Sequence, residues 1–164
     1  MNTINYEIRE MKLDEKDILK DLLYEAIFQP DENNLLPRDV IEKPELSMYI
    51  DDFGKKDDYC FVADINGKIA GGVWTRILNG EIKGYGNIDV STPELAISLF
   101  KEYRNKGIGT CLMKRMIEYL MEKEYEQASL SVAKDNYAFK MYKKIGFKIA
   151  CEQGEDYLMV LKLK

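Results

Sequence analysis

Polar and apolar side chains alternate from Tyr6 to Met11, the period of a half-buried strand. Asp14 can then cap a helix whose apolar face includes Ile18, Leu22, Leu23 and Ile27, and Pro30 stops it. Residues 31–44 are polar and contain Pro37 and Pro44, which predicts a surface loop; a short helix from about Glu45 to Phe53 follows and ends at Gly54. Two strand-like runs, Tyr59 to Ile65 and Lys68 to Trp74, flank the pair Asn66-Gly67. Asn and Gly tolerate the positive φ of a type I′ turn, so the pair predicts a hairpin, and Asn79-Gly80 marks a second reversal.

Further on, Leu95 to Phe100 predicts a buried strand, and Ile108 to about Glu124 a long helix facing inward through Ile108, Leu112, Met116 and Leu120. Ala128 to Val132 predicts a strand, and Asn136 to Ile145 a helix with Gly146 in its C-terminal αL position. Short strands near Phe147 to Glu152 and Tyr157 to Lys162 complete the pattern. This order predicts an α/β (α+β) fold, one domain over residues 1–164, with a mixed, mostly antiparallel central sheet of about seven strands and helices on both faces.

Composition narrows the class. With 164 residues, 46% hydrophobic and 32% charged, the chain can bury a sizeable core, and its apolar runs are too short to span a bilayer. The stretch from Met1 to Met11 lacks the basic start and apolar core of a secretory signal. Cys60, Cys111 and Cys151 are odd in number and widely spaced, and the chain has no His, so neither a disulfide framework nor a zinc site is predicted. A soluble, cytoplasmic protein without metal is expected. The formal net charge of -5 gives no field for nucleic acid or an anionic membrane, and suits a cationic partner.

Candidate chemistry begins at Arg104-Asn105-Lys106-Gly107-Ile108-Gly109, between the buried strand and the long helix. Glycines let backbone N–H groups approach a ligand, and a helix start adds unpaired donors and a positive dipole end. Such a cradle suits a diphosphate. It is not a Walker A loop, because Thr110-Cys111 follows Gly109, and not a dinucleotide fingerprint, because Leu112 occupies the third glycine position. A plain glycine-containing turn is the remaining structural reading.

The loop resembles the GNAT acetyltransferase pattern Arg/Gln-x-x-Gly-x-Gly/Ala, matched at Arg104, Gly107 and Gly109. A second GNAT signature is resembled by Leu130 to Phe147, where a strand leads to Asn136, Ala138 and Tyr142 and closes with Gly146-Phe147. Asn136 lies two residues before Ala138 and six before Tyr142, with Asp135 in the commoner Asn position, the shorter of two spacings in the superfamily. The resemblance implies an N-acetyltransferase that uses acetyl-CoA as acyl donor. By it, Ile97, Ser98 and Leu99 would meet pantetheine, Asn105, Lys106, Gly107, Ile108, Gly109 and Thr110 would hold the pyrophosphate, and Arg104 would belong to the same cofactor-binding set. Asn136 and Tyr142 would also contact the cofactor, although Asn136 is equally suited to cap its helix.

Direct acetyl transfer to an amine needs a neutral amine, a polarised thioester carbonyl and a proton for the departing thiolate. Tyr142, protonated at neutral pH, is the candidate acid; a packing role under its helix is the alternative. A backbone N–H near Leu99 would polarise the carbonyl. With no His, any base must be a carboxylate or a water chain. Glu94 at the mouth of the cofactor strand is best placed, unless it is a solvated strand-end glutamate, and Asp89 and Glu81 are comparable. Cys111 reads as a small buried residue without a His partner, and Trp74 and Tyr85 as core or pocket lining.

The acceptor would be an amine of a small molecule or protein, framed by residues 31–53 and 80–93, and no motif names it. A catalytically silent acyl-CoA-binding sensor or interaction module is the alternative function. A nucleic-acid-binding domain has only Arg104 and Lys106 in its favour. Monomer and homodimer are both open, since the last strands could present an edge.

Overall fold

The computed structural model describes residues 4–164, so the first three residues of the acidic opening stretch lie outside it. Seven strands form one sheet: β1 (Glu7–Glu10), β2 (Tyr59–Ile65), β3 (Lys68–Arg76), β4 (Glu94–Leu99), β5 (Gln127–Ala133), β6 (Lys148–Gln153) and β7 (Asp156–Lys162). Their spatial order is β1-β2-β3-β4-β5-β7-β6, antiparallel throughout except for the pair β4-β5. The mixed α/β architecture expected from the hydrophobic pattern is therefore the one formed. The turn at Asn66-Gly67 has φ of 52° and 88°, both positive as the hairpin requires, and Asn79 bridges Lys83 at the second reversal.

Period-2 alternation divides the sheet into two cores. Phe61, Ala63, Val73 and Leu95 face helix α3 (Ile108–Glu122), whose Ile108, Leu112, Met113, Met116 and Leu120 are completely buried. Cys60, Val62 and Trp74 face the other way, toward helix α1 (Ile18–Ala26), which buries Leu19, Leu22 and Leu23, and toward the segment after helix α2 (Pro44–Ser47), which buries Tyr49 and Phe53. Fully burying each large apolar side chain contributes roughly 1.5–3 kcal/mol. Helix α4 (Ala138–Ile145) lies on the α3 side and ends at Gly146, whose φ of 126° favours glycine. Strand β6 is exposed along its whole length at one edge.

Two expected elements differ. Asp14 does not cap a helix: it is exposed in a 3-10 turn, Leu13–Glu15, and α1 starts three residues later. Glu15 is drawn backward by Nη1 and Nη2 of Arg9 at 2.9 and 2.8 Å and by the Lys12 N–H at 2.7 Å, which holds the turn outside helical register. The helix expected to reach Phe53 is one turn, followed by hydrogen-bonded turns. Its next carbonyls are taken from the side: Arg76 Nη1 donates to Met48 O at 2.9 Å and Asp51 O at 2.6 Å, and Trp74 Nε1 to Tyr49 O at 3.1 Å.

Candidate active site

Strands β4 and β5 meet at one register position, Glu94 opposite Ser129, where the Ser129 N–H donates to Pro93 O at 3.0 Å. Beyond it they share no further register position, while each keeps a full partner on its other edge, β7 for β5 and β3 for β4. The Phe100 N–H donates to Ala70 O on the β3 side. By the alternation of an antiparallel ladder, Ile97 and Leu99 therefore direct their backbone groups into the opening. The opening is a cleft of about 1230 Å³. That exceeds the roughly 300–1,000 Å³ of an ordinary small-molecule pocket and leaves room for two reactants.

One end of the cleft is the turn between β4 and α3. Asn105 (φ 61°) and Gly107 (φ 83°) both sit in the left-handed region, and a Cβ on Gly107 would meet nothing within 4 Å. The turn delivers the chain to Ile108, so the first N–H groups of α3 lack helical partners, and no acidic side chain stands in its first turn. Asn105, Gly107, Gly109 and Thr110 line the cleft. Ile108 points its side chain into the core and Lys106 is exposed, outside the lining. Backbone N–H groups, rather than those two side chains, are what this turn offers an anion.

Arg104 is already engaged. Its Nε donates to Leu99 O at 3.0 Å and its Nη2 to Glu25 Oε2 at 2.9 Å, which braces the end of β4 against α1. Ser98 also lines the cleft, but its hydroxyl is committed, donating to Leu22 O at 2.6 Å. On the facing wall, Asn136 Oδ1 accepts the Ala138 N–H at 2.9 Å, so the residue caps α4 while lining the cleft. Tyr142 also lines it, with its ring edge-on to Phe147 at 6.0 Å between centroids. Burial pushes the Tyr142 phenol above its ordinary range, so it stays protonated at neutral pH.

At the other end lies Glu94, which is not solvated. It is 4% exposed, and burial lifts its carboxyl to about 7, against hydrogen bonds from Tyr49 and Gly86 that pull it down. Both bonds fall on one oxygen: Tyr49 Oη donates to Oε2 at 2.5 Å and the Gly86 N–H at 3.0 Å. Oε1 is buried without a partner beneath Gly84, where a Cβ would stand 2.1 Å from it. Glu94, Tyr49 and Tyr85 line the same cleft, as do Leu35 and Leu46 from the segment before Tyr49.

Glu81 and Asp89 are exposed and outside the lining, and hydrogen bonds from Thr92 and Ser91 hold the Asp89 carboxyl low. Cys111 is exposed rather than buried, beside the Tyr6 hydroxyl, which it helps push up to about 12. It lies on the flank of α3 away from the face formed by Ile108, Met113 and Leu120. Trp74 is core, while Tyr85 is half exposed at the cleft rim. Among the described residues, no cluster of His, Cys, Asp or Glu is suited to a metal ion, and no helix is long and apolar enough to cross a membrane. Tyr49 and Glu25 carry no motif; 45 residues separate Tyr49 from its carboxylate partner.

Comparison with known proteins agrees with this geometry. The profile of the Acetyltransferase (GNAT) family matches residues 21–147. An N-alpha-acetyltransferase of Sulfurisphaera tokodaii is 32% identical over 114 residues, covering 63% of this chain and 68% of that protein. Among solved structures, the PaiA N-acetyltransferase of Thermoplasma acidophilum in complex with coenzyme A superposes with a TM-score of 0.67 at 21% identity, over 97% of this chain and 99% of that one. The yncA protein of Salmonella typhimurium with its cofactor acetyl-CoA gives 0.67 at 14% identity, over 98% and 95%. These two show likeness of fold. Signature residues, sheet topology and family profile converge on one assignment: the chain belongs to the GNAT acetyltransferase family and is an N-acetyltransferase.

Proposed function

We propose that the protein transfers the acetyl group of acetyl-CoA directly to the α-amine of a peptide or protein N-terminus. The observation that carries this reading is Glu94, a carboxyl that lines the cleft yet is only 4% exposed, a burial that lifts it to about 7. A base of that strength is matched to an α-amine, which titrates near 7.7–8.0, far better than to a lysine amine near 10.4. The similarity to an N-alpha-acetyltransferase supports the same acceptor class.

The residues present fit such a donor. The turn from Asn105 to Thr110 offers backbone N–H groups to a pyrophosphate, and the open edge of β4 at Ile97 and Leu99 offers a strand-like partner to an amide-containing arm. Acetyl-CoA, when bound, supplies an activated thioester. The Leu99 N–H, on the open edge of β4, would polarise a carbonyl lying along that strand. Glu94 takes the proton that the amine loses, and Tyr142 returns a proton to the departing thiolate, the phenol of one and the carboxyl of the other being set for opposite transfers by their surroundings.

The test measures thiol release from acetyl-CoA with three acceptors: a peptide with a free N-terminus and no lysine, the same peptide N-terminally blocked with one lysine added, and a polyamine. Release with the first and not the others is the expected result. Faster release with the polyamine or the lysine peptide would overturn the α-amine assignment. Glu94→Gln should lower turnover by roughly 10²–10⁴-fold.

A further inference from the structure

Glu94 is well tuned as a base but badly placed to touch a substrate. Its Oε1 is sealed beneath Gly84, and its Oε2 already receives Tyr49 Oη and the Gly86 N–H. An acceptor in the cleft reaches Tyr49 instead, since the tyrosine, 9% exposed, lines the cleft beside the carboxylate. Tyr49 Oη uses its hydrogen toward Glu94 and one lone pair toward the Tyr85 N–H at 2.8 Å. A phenolic oxygen has a second lone pair, and in this arrangement it is the atom of the pair left able to accept.

We infer that Tyr49 is a further catalytic residue, a proton relay through which the acceptor ammonium reaches Glu94. The step balances without a co-reactant. One N–H bond of the ammonium breaks as its proton passes to Tyr49 Oη, and the Tyr49 O–H bond breaks as its own proton passes to Glu94 Oε2. The products are a neutral amine, an intact phenol and a protonated carboxyl. The inference rests on the reading of Glu94 as the terminal base.

Two features favour a relay over an independent base. Burial and the adjacent carboxylate push the Tyr49 phenol far above its ordinary range, so it does not release a proton unless it gains one at the same time. Its position is also fixed from the backbone side. Trp74 Nε1 holds Tyr49 O, and Arg76, itself paired with Asp58 at 3.1 Å, holds the carbonyls of Met48 and Asp51 on either side. A relay requires that rigidity, because both transfers depend on hydrogen-bond distance.

The experiment compares single-turnover rates of the full chain, with acetyl-CoA and the free-N-terminus peptide, for Glu94→Gln, Tyr49→Phe and the double variant. The relay predicts that Tyr49→Phe loses on the order of 10²-fold in rate. The acetyl-CoA KM should be unchanged, and the double variant should be no slower than the slower single. A Tyr49→Phe rate within threefold of the parent while Glu94→Gln loses turnover would overturn the relay and leave Glu94 as the base; full turnover by Glu94→Gln would overturn the base itself. If Tyr49→Phe gives no thermal shift with acetyl-CoA, and so has lost its fold, the chain with Tyr49 intact and Tyr142→Phe decides, since that change removes the proton given to the thiolate. A bowed dependence of its rate on the D2O fraction indicates two protons in flight and supports the relay, and a linear one overturns it.

Discussion

Arg104 Nη2 lies 2.9 Å from Glu25 Oε2, a contact that fastens the β4-α3 turn to α1 at the end of the cleft opposite Glu94. The pair is a quarter to a third exposed, so it adds little to stability. Its electrostatic effect on a bound anion is larger, because Glu25 offsets the charge of Arg104, which immediately precedes the turn. Glu25→Gln should tighten coenzyme A binding by on the order of 1 kcal/mol at low ionic strength, with the gain shrinking as salt is added. Titration calorimetry at two salt concentrations checks this, and unchanged affinity at both would count against an anion site at the turn.

Glu94 should make stability depend on pH. Its folded carboxyl sits at about 7, above the ordinary value of 4.5, so the folded protein holds this proton more tightly than the unfolded chain. The contribution is full below about 4.5 and is lost as pH rises through about 7. Glu94→Gln keeps the site uncharged, and should gain on the parent between pH 5 and pH 8 by at most about 3 kcal/mol. Melting curves across that range report the difference, and a constant gap would contradict the burial argument.

Tyr142→Phe retains the ring against Phe147 and removes the hydroxyl. Turnover should fall by roughly 10²–10⁴-fold with donor affinity unchanged. A variant as fast as the parent would leave Tyr142 with packing alone.

Gly84→Ala places a methyl 2.1 Å from Glu94 Oε1 and 3.2 Å from the Leu78 Cβ, so the carboxylate must move. A loss of about 1–3 kcal/mol in stability is expected, together with reduced turnover. Gly80→Ala is the control in the same loop, since its Cβ would meet nothing within 4 Å. Denaturant midpoints and initial rates for the two variants should diverge.

Where local pattern sets the structure, the sequence was readable. The residues Ile108, Leu112, Met116 and Leu120 form the buried stripe of α3, and Asn66-Gly67 makes its hairpin, because both depend on neighbours within a few positions. Cys111 escaped the reading: at about 100° per residue it projects away from the stripe once Met113 widens the buried face on the other flank. Asp14 and the segment after Ser47 failed for a different reason. Arg9 and Arg76, distant in sequence, claim the groups that a continuing helix would have used. The same distance hides the site. Glu94 is legible as a carboxylate on the cofactor strand, but its burial depends on Tyr49 and on the Gly84-Tyr85-Gly86 loop, and only that pair of glycines hinted at close packing.

The single shared ladder position between β4 and β5 divides the sheet into two panels, one from β1 to β4 and the other from β5 to β7. A donor laid along β4 would act as the seam between them, so the molecule consumed in the reaction would also be a structural member. Each turnover would then loosen and close the middle of the protein, and departure of the spent coenzyme would be felt on both panels. Amide exchange at Ile97 and Leu99 would slow together with exchange at β5, coupling residues that share almost no backbone contact of their own.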